Sequence, residues 1–105
     1  MTPKNLLQNI PDNLDQEFIE ILTQNDNVKI ERIISAGHST PDTEWYNQTT
    51  HELVLVLKGE AIILFEDRSE SQLSEGDYLN IPAHTKHQVK WTTTESETIW
   101  LAVHY

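Results

Sequence analysis

From Val28 onward, short apolar stretches, several of them alternating with polar positions, are separated by polar or glycine-containing turns. Seven segments of this kind predict short strands. Regular short strands favour an all-β sandwich or barrel over a fold in which strands alternate with helices. The predicted strands are Val28–Ser35, Glu44–Asn47, His51–Leu57, Ala61–Glu66, Tyr78–Ile81, Gln88–Thr92 and Thr98–His104.

The first 27 residues follow a different spacing, because their apolar side chains recur at intervals of three and four. Such side chains share one face of a helix, and Asp12 or Asn13 is suited to cap its start. The pattern predicts an N-terminal helical extension over residues 1–27 and a β-barrel domain over residues 28–105. The apolar positions of this predicted helix are Leu14, Phe18, Ile21 and Leu22.

The strand that begins at His51 is apolar on both of its faces. Glu52 shares one face with two valines, and His51 shares the other with three leucines. Because neither face is polar beyond its first residue, water cannot freely contact either. We therefore expect the N-terminal helix or a second copy of the chain to cover the outer face, and we predict a homodimer.

The charge balance narrows the range of partners. Lys and Arg number 7 against 17 Asp and Glu, a net charge of −10. Such a surface repels phosphate backbones and anionic membranes, so neither nucleic acid nor a membrane is an expected partner. The chain has no cysteine, and none of its apolar runs is longer than Leu53–Leu57, which is far too short to cross a bilayer. Its first residues do not read as a secretory signal, which predicts a cytoplasmic protein.

Two spaced motifs dominate the second half of the sequence. Glu52 is followed by six residues and Gly59; Gly76 is followed by five residues, Pro82, four more residues and His87. In order, and on a β pattern, these motifs resemble those of the cupin family. The resemblance implies a cupin-type jelly-roll β-barrel with its site in the interior, and a small molecule as the partner.

The first cupin motif departs from the usual family pattern. Its two histidine positions fall on Tyr46 and Gln48 with the shorter spacer, and on Trp45 and Asn47 with the longer one. Metal-binding cupins use three histidines and one glutamate. On the positions matching these four ligands this chain keeps only Glu52 and, in the second motif, His87.

The second motif also departs from the pattern, although it keeps His87. His84 stands at the position of a glycine, and Trp91 at that of the final asparagine. Histidine tolerates positive φ better than most residues, so His84 is either a turn residue or a further metal ligand.

Because side chains alternate between the two faces of a strand, Glu52 and His87 are predicted to point into the barrel. A buried carboxylate must be paired, metal-bound or protonated, and a neutral imidazole is a good metal ligand. Two ligands alone hold a metal weakly, so the candidate metal set is Glu52, His87, Gln48 and His84. The candidate ions are Mn, Fe, Ni and Zn.

Three further residues are candidates for contact with a ligand. Tyr46 could supply a phenolic hydrogen bond. Trp91 is an even number of residues from His87, so it shares a strand face with His87 and is predicted to form a wall of the cavity. His104 shares a face with Trp100 and lines the cavity if that face points inward. Core packing is the alternative role for the tryptophans.

These features support two main functions. The first is a metal-dependent enzyme acting on small molecules, with oxygenase and isomerase activities both open, and the alternative is a metal-free domain that binds or senses a small ligand. A structural module with a filled barrel is a third possibility. The sequence alone does not decide whether the protein is an enzyme.

Overall fold

The computed structural model describes all 105 residues, and it contains strands and turns but no helix. No element could therefore cross a membrane as a helix. The eight strands, numbered in chain order, are β1 (Phe18–Gln24), β2 (Lys29–Ser35), β3 (Glu52–Lys58), β4 (Ala61–Phe65), β5 (Glu70–Leu73), β6 (Tyr78–Ile81), β7 (His87–Thr92) and β8 (Thr98–His104).

The strands form two antiparallel sheets that face each other. The larger sheet has the order β1-β2-β8-β3-β6, and the smaller one has the order β5-β4-β7. Apolar side chains from both sheets fill the space between them, which confirms the predicted all-β, jelly-roll-like fold. The buried core residues are Val54, Val56, Ala61, Ile63, Leu73, Ile81, Trp100 and Ala102.

The predicted N-terminal helix is wrong, because residues 18–24 form strand β1 at the edge of the larger sheet. Ile19, Ile21 and Thr23 are β-branched residues at alternate positions, a pattern that suits a strand. A helix of this length is marginal in isolation. The hydrogen-bonded ladder to β2 therefore decides the conformation, with Phe18 opposite Ile34.

An irregular N-terminal segment lies against the outer face of the larger sheet. Arg32, which points outward from β2 and is 4% exposed, holds it. The guanidinium donates hydrogen bonds to the carbonyl oxygens of Leu6, Gln8 and Asn9, at 3.2, 2.7 and 3.4 Å. Its Nε lies 3.2 Å from a carboxylate oxygen of Glu20. This irregular segment thus covers the outer face of the larger sheet around Arg32, whereas the expected cover over β3 stays a prediction.

Two connections differ from the predicted ones. Glu44–Asn47 is not a strand, since Tyr46 alone forms an isolated bridge, opposite His87. Lys58 and Gly59 are predicted from the sequence to form a tight hairpin turn, but β3 and β4 belong to different sheets, and the turn carries the chain from one sheet to the other. The polar loop after Phe65 does close a hairpin, and it leads into β5, which the sequence pattern did not reveal.

A bulge in β7 reverses the direction of the side chains beyond it. Ile63 pairs with Val89 but Ile62 pairs with Trp91, so Lys90 is the additional residue. Val89 lines the barrel interior, whereas Trp91 faces outward and is 38% exposed. The prediction that Trp91 faces the interior is therefore wrong.

Candidate functional site

A cavity of about 120 Å³ lies between the two sheets, bordered by strands from both. Its walls are partly apolar, and Trp100 is the largest of the apolar residues. Seven polar side chains point toward the same space. These are Glu17, Glu31, Tyr46, Gln48, Glu52, His87 and His104.

Strand register explains why the charged residues meet. Glu52 is the first residue of β3 and lies directly opposite His104 near the end of β8. Both side chains lie on the inner face, since residues opposite each other in a ladder point to the same side. His87 begins β7 in the other sheet, so its imidazole approaches Glu52 from across the barrel.

Carboxylates and imidazoles alternate in a row across the cavity. His104 Nε2 lies 2.6 Å from an oxygen of Glu31 and 3.7 Å from an oxygen of Glu52. The other oxygen of Glu52 lies 3.4 Å from His87 Nε2. The Glu31–His104 contact is a short hydrogen bond, whereas both contacts of Glu52 are longer than the 2.7–2.9 Å of a charge-assisted hydrogen bond.

The orientation of His87 is set by a backbone carbonyl. Its Nδ1 lies 2.8 Å from the oxygen of Thr85, so Nδ1 carries the proton and donates it. Nε2 then points at Glu52. Burial is the largest influence on the pKa of His87 and lowers it, but the hydrogen bonds and charge of Glu52, together with the Thr85 carbonyl, reverse this and leave the pKa raised.

The raised pKa of His87 predicts a pH-dependent contribution to stability. A group whose pKa is higher in the folded state stabilises the fold fully below its unfolded pKa of about 6.5, and this is lost as the pH rises through the folded pKa. We expect His87→Gln to lower the free energy of unfolding more at pH 5.5 than at pH 8, as measured by urea unfolding.

Glu52→Gln provides the control for this prediction. Without the carboxylate, the pH dependence of the His87→Gln effect should shrink, because the group that raises the pKa is gone. An effect of His87→Gln that is the same at both pH values in the wild-type background would contradict the assignment.

Two acceptors in the cavity can accept further hydrogen bonds. The Glu52 side chain is only 10% exposed, and its nearest polar neighbours are the two imidazoles at 3.4 and 3.7 Å. The Gln48 Oε1 atom is buried and has no hydrogen-bond partner. Buried polar groups without partners are costly, so this region is built to receive a donor or a cation.

Tyr46 lies at the edge of the cavity against His87. The two ring centroids are 5.4 Å apart, and Tyr46 remains partly exposed. Burial, followed by the charge of Glu17, raises the pKa of the phenol, although a hydrogen bond from Thr40 opposes this. The hydroxyl is therefore protonated at neutral pH.

A second polar network was missed at the sequence level. Trp100 Nε1 donates to Ser35 Oγ at 3.3 Å, and Ser35 Oγ donates to Glu17 at 2.7 Å. Glu17 had been assigned to a helical extension. Glu31 was also missed, although its alternation with Ile33 and Ser35 places all three on the inner face of β2.

The structure brings together five of the seven predicted site residues. The other two, His84 and Trp91, lie outside the cavity lining. His84 is exposed in a turn with φ of 64°, and its backbone N–H donates to the Gln48 carbonyl at 2.8 Å. The turn explanation for His84 therefore fits its position.

Metal ligation can be tested against the donor set. No group of three or more His, Cys, Asp or Glu side chains is arranged to hold a metal ion. His104 is engaged by Glu31, which leaves Glu52, His87 and the amide oxygen of Gln48 as the available donors. These residues do not by themselves fit a complete metal centre.

Comparison with known proteins supports the fold and the family. A family model described as a cupin domain matches residues 32–104. No curated protein matches the chain. A protein of Ralstonia eutropha JMP134, provisionally described as a mannose-6-phosphate isomerase, is 38% identical with a TM-score of 0.93, and the match covers 99% of this chain and 97% of that one.

Two other solved structures are similar in fold. A cupin superfamily protein of Desulfitobacterium hafniense DCB-2 is 27% identical with a TM-score of 0.75, over 90% of this chain and 82% of that one. The Fe(II) form of HppE is 18% identical with a TM-score of 0.73, over 94% of this chain and 55% of that one, which is a likeness of fold alone. With its cupin-domain match and its two facing antiparallel sheets, the chain belongs to the cupin family.

Proposed function

We propose that this cupin binds a small polar molecule in its internal cavity without a metal ion. The observation that carries the proposal is the buried Gln48 Oε1 atom, which has no hydrogen-bond partner and lies in the same cavity as the Glu52 carboxylate. Glu52 has only long contacts, with the imidazoles of His87 and His104. Pockets with apolar walls and a few convergent polar groups are typical of small-molecule sites. At about 120 Å³, this one suits a ligand much smaller than a drug.

Burial of Glu52 gives the ligand an energetic role. A buried carboxylate without close partners is unfavourable, and a ligand that donates hydrogen bonds to it offsets that cost. Val54 and Ile63 add apolar surface to the same cavity. Binding, and catalysis if the bound molecule reacts, would then both take place inside the barrel.

A cavity-blocking variant tests this proposal. Val89 lines the cavity, so Val89→Phe should fill part of it, while Leu55→Phe, on the outer face of β3, is the control. In a thermal-shift screen of small polar compounds, a ligand at 100 times its Kd should raise the Tm by roughly 10–20 °C for about 2.7 kcal/mol in a domain of this size. That shift should disappear in Val89→Phe and persist in Leu55→Phe; a shift that survives in Val89→Phe would place binding elsewhere.

A divalent-metal-dependent activity, of the oxygenase or isomerase class, is the second candidate. One observation favours it: Nδ1 of His87 donates to a carbonyl, an arrangement that orients the ring of a metal-bound histidine and leaves Nε2 free. Glu52, His87 and Gln48 would hold Mn, Fe, Ni or Zn, which would supply Lewis-acid or redox chemistry. The donor set is incomplete, so we rank this candidate second.

Metal analysis of protein purified without a histidine tag separates the two candidates. Our proposal expects far less than one equivalent of Mn, Fe, Ni or Zn, before and after incubation with each ion. One tightly bound equivalent in the wild type that is lost in both Glu52→Ala and His87→Ala would establish the second candidate instead.

We also propose that two copies of the chain associate. Ile19, Ile21 and Leu22 of the edge strand β1 are exposed, and apolar edges of this kind are commonly covered by a partner. Light scattering at high concentration should give the mass of a dimer. A monomer under these conditions would refute the association.

A further inference from the structure

We infer that the cavity selects a small organic ammonium ion over neutral or anionic molecules of the same size. This inference rests on the proposed function and adds the chemical class of the ligand. Three properties of the cavity support it independently: its charge, its hydrogen-bonding capacity and its aromatic surface.

The charge of the cavity is unfavourable for anions. Three carboxylates, those of Glu17, Glu31 and Glu52, outnumber the two imidazoles in its lining, those of His87 and His104, and no lysine or arginine lines it. The nearest ammonium to these carboxylates is that of Lys29, which is 3.8 Å from Glu31 but 43% exposed and outside the lining. With a net charge of −10 on the whole chain, both the local and the overall field attract cations.

The hydrogen-bonding groups call for donors on the ligand. The indole N–H of Trp100 is already donated to Ser35, and the Nδ1–H of His87 is already donated to Thr85. Gln48 Oε1, by contrast, is a buried acceptor without a partner, and Glu52 has only the imidazoles of His87 and His104 near it, at 3.4 and 3.7 Å. An ammonium group carries three donors and no acceptor, so it complements this set.

The aromatic surface suits the same class of ligand. Tyr46 and Trp100 both line the cavity, and a cation is attracted to the face of an aromatic ring. Ile33 and Ile63 add apolar surface for a short hydrocarbon chain. A phosphorylated sugar, the substrate class in the description of the Ralstonia relative, matches neither the charge nor the donors of this cavity.

Isothermal titration calorimetry with matched probes tests the inference. The probes are ethyl-, n-butyl- and benzylammonium chloride, the alcohols and carboxylates of the same carbon skeletons, and inorganic phosphate. We expect at least one ammonium probe to bind at least about tenfold more tightly than its alcohol, a difference of about 1.4 kcal/mol, with no binding of the anions.

Substitutions in the cavity show where the ammonium binds and whether the charge of Glu52, rather than its size, is needed for binding. Glu52→Gln should weaken binding of that ammonium by about tenfold or more, whereas Glu75→Gln, which removes an exposed carboxylate outside the cavity, should leave it unchanged. Gln48→Leu removes the second acceptor and should also weaken binding, which keeps the test decisive if Glu52→Gln folds poorly. Melting curves check that each variant is folded.

Each contrary result has a distinct meaning. Alcohols or anions that bind as well as the ammonium, and that Val89→Phe excludes, would overturn the charge selection and leave the proposed function intact. Ammonium binding that is unaffected by Glu52→Gln, Gln48→Leu and Val89→Phe would overturn the inference, because the site would lie elsewhere. Failure of every ammonium probe would overturn it as well; failure of every compound in the broader screen would overturn the proposed function too.

Discussion

Replacing Gly59 with alanine is expected to lower the free energy of unfolding by about 2–6 kcal/mol. Gly59 has φ of 90°, where an L-residue is strained by about 1–3 kcal/mol. An added Cβ would also lie 2.5 Å from Thr98 Oγ1, 2.8 Å from Thr98 Cα and 2.9 Å from the Glu97 carbonyl oxygen. Two of these atoms belong to the backbone and cannot move away easily, which adds about 1–3 kcal/mol of overpacking.

Gly76 offers a matched control for the effect of Gly59. Its φ is 89°, but an added Cβ would meet nothing within 4 Å. Gly76→Ala should therefore cost only the conformational strain of about 1–3 kcal/mol. Urea unfolding of both variants measures the difference, and equal costs would show that the turn between the sheets is looser than the structure has it.

The second large effect is expected for Trp100→Ala, at about 3–5 kcal/mol. Trp100 is 4% exposed, packs in the core between the sheets and donates its indole N–H to Ser35. A typical domain is stable by about 5–15 kcal/mol, so this loss is a large part of the total stability. Circular dichroism during urea unfolding gives the midpoint and the free energy.

Trp91→Ala tests whether the cost of Trp100→Ala comes from the burial of Trp100 or from the loss of any tryptophan. Because the bulge turns Trp91 outward, its removal should cost no more than about 1 kcal/mol. If Trp91→Ala were as destabilising as Trp100→Ala, Trp91 would have to be buried, and the register of β7 would be different from the one described.

The fold could largely be predicted from the sequence because its signals are local. The spacing from Glu52 to Gly59 and from Gly76 to His87 reflects turns and strands a few residues long. β1 was missed because its residues fit two periods: Phe18 and Leu22 suit a helix face, whereas β-branched residues alternate between them. Only pairing with β2, a contact made in the folded protein, favours the strand.

The candidate site was less predictable for a related reason. The alternation of side chains along the strands correctly placed Glu52 and His87 inside, since each lies where its strand is regular. For His104 the alternation gave only a shared face with Trp100, and both residues line the cavity. Trp91 was misplaced because a bulge adds one residue to the strand and reverses the faces of the residues beyond it, and the alternation of apolar and polar residues does not show where the bulge lies. Glu31 came into the site through the alignment of β2 with β8, which a single sequence does not reveal.

Recognition of the N-terminal segment by Arg32 has a consequence for how the sequence tolerates change. Arg32 binds main-chain carbonyl oxygens, and every amino acid carries that group. In a library of all single substitutions, Leu6 and Gln8 should therefore accept many replacements. Arg32 should accept almost none, because no other side chain has a planar fork of five donors.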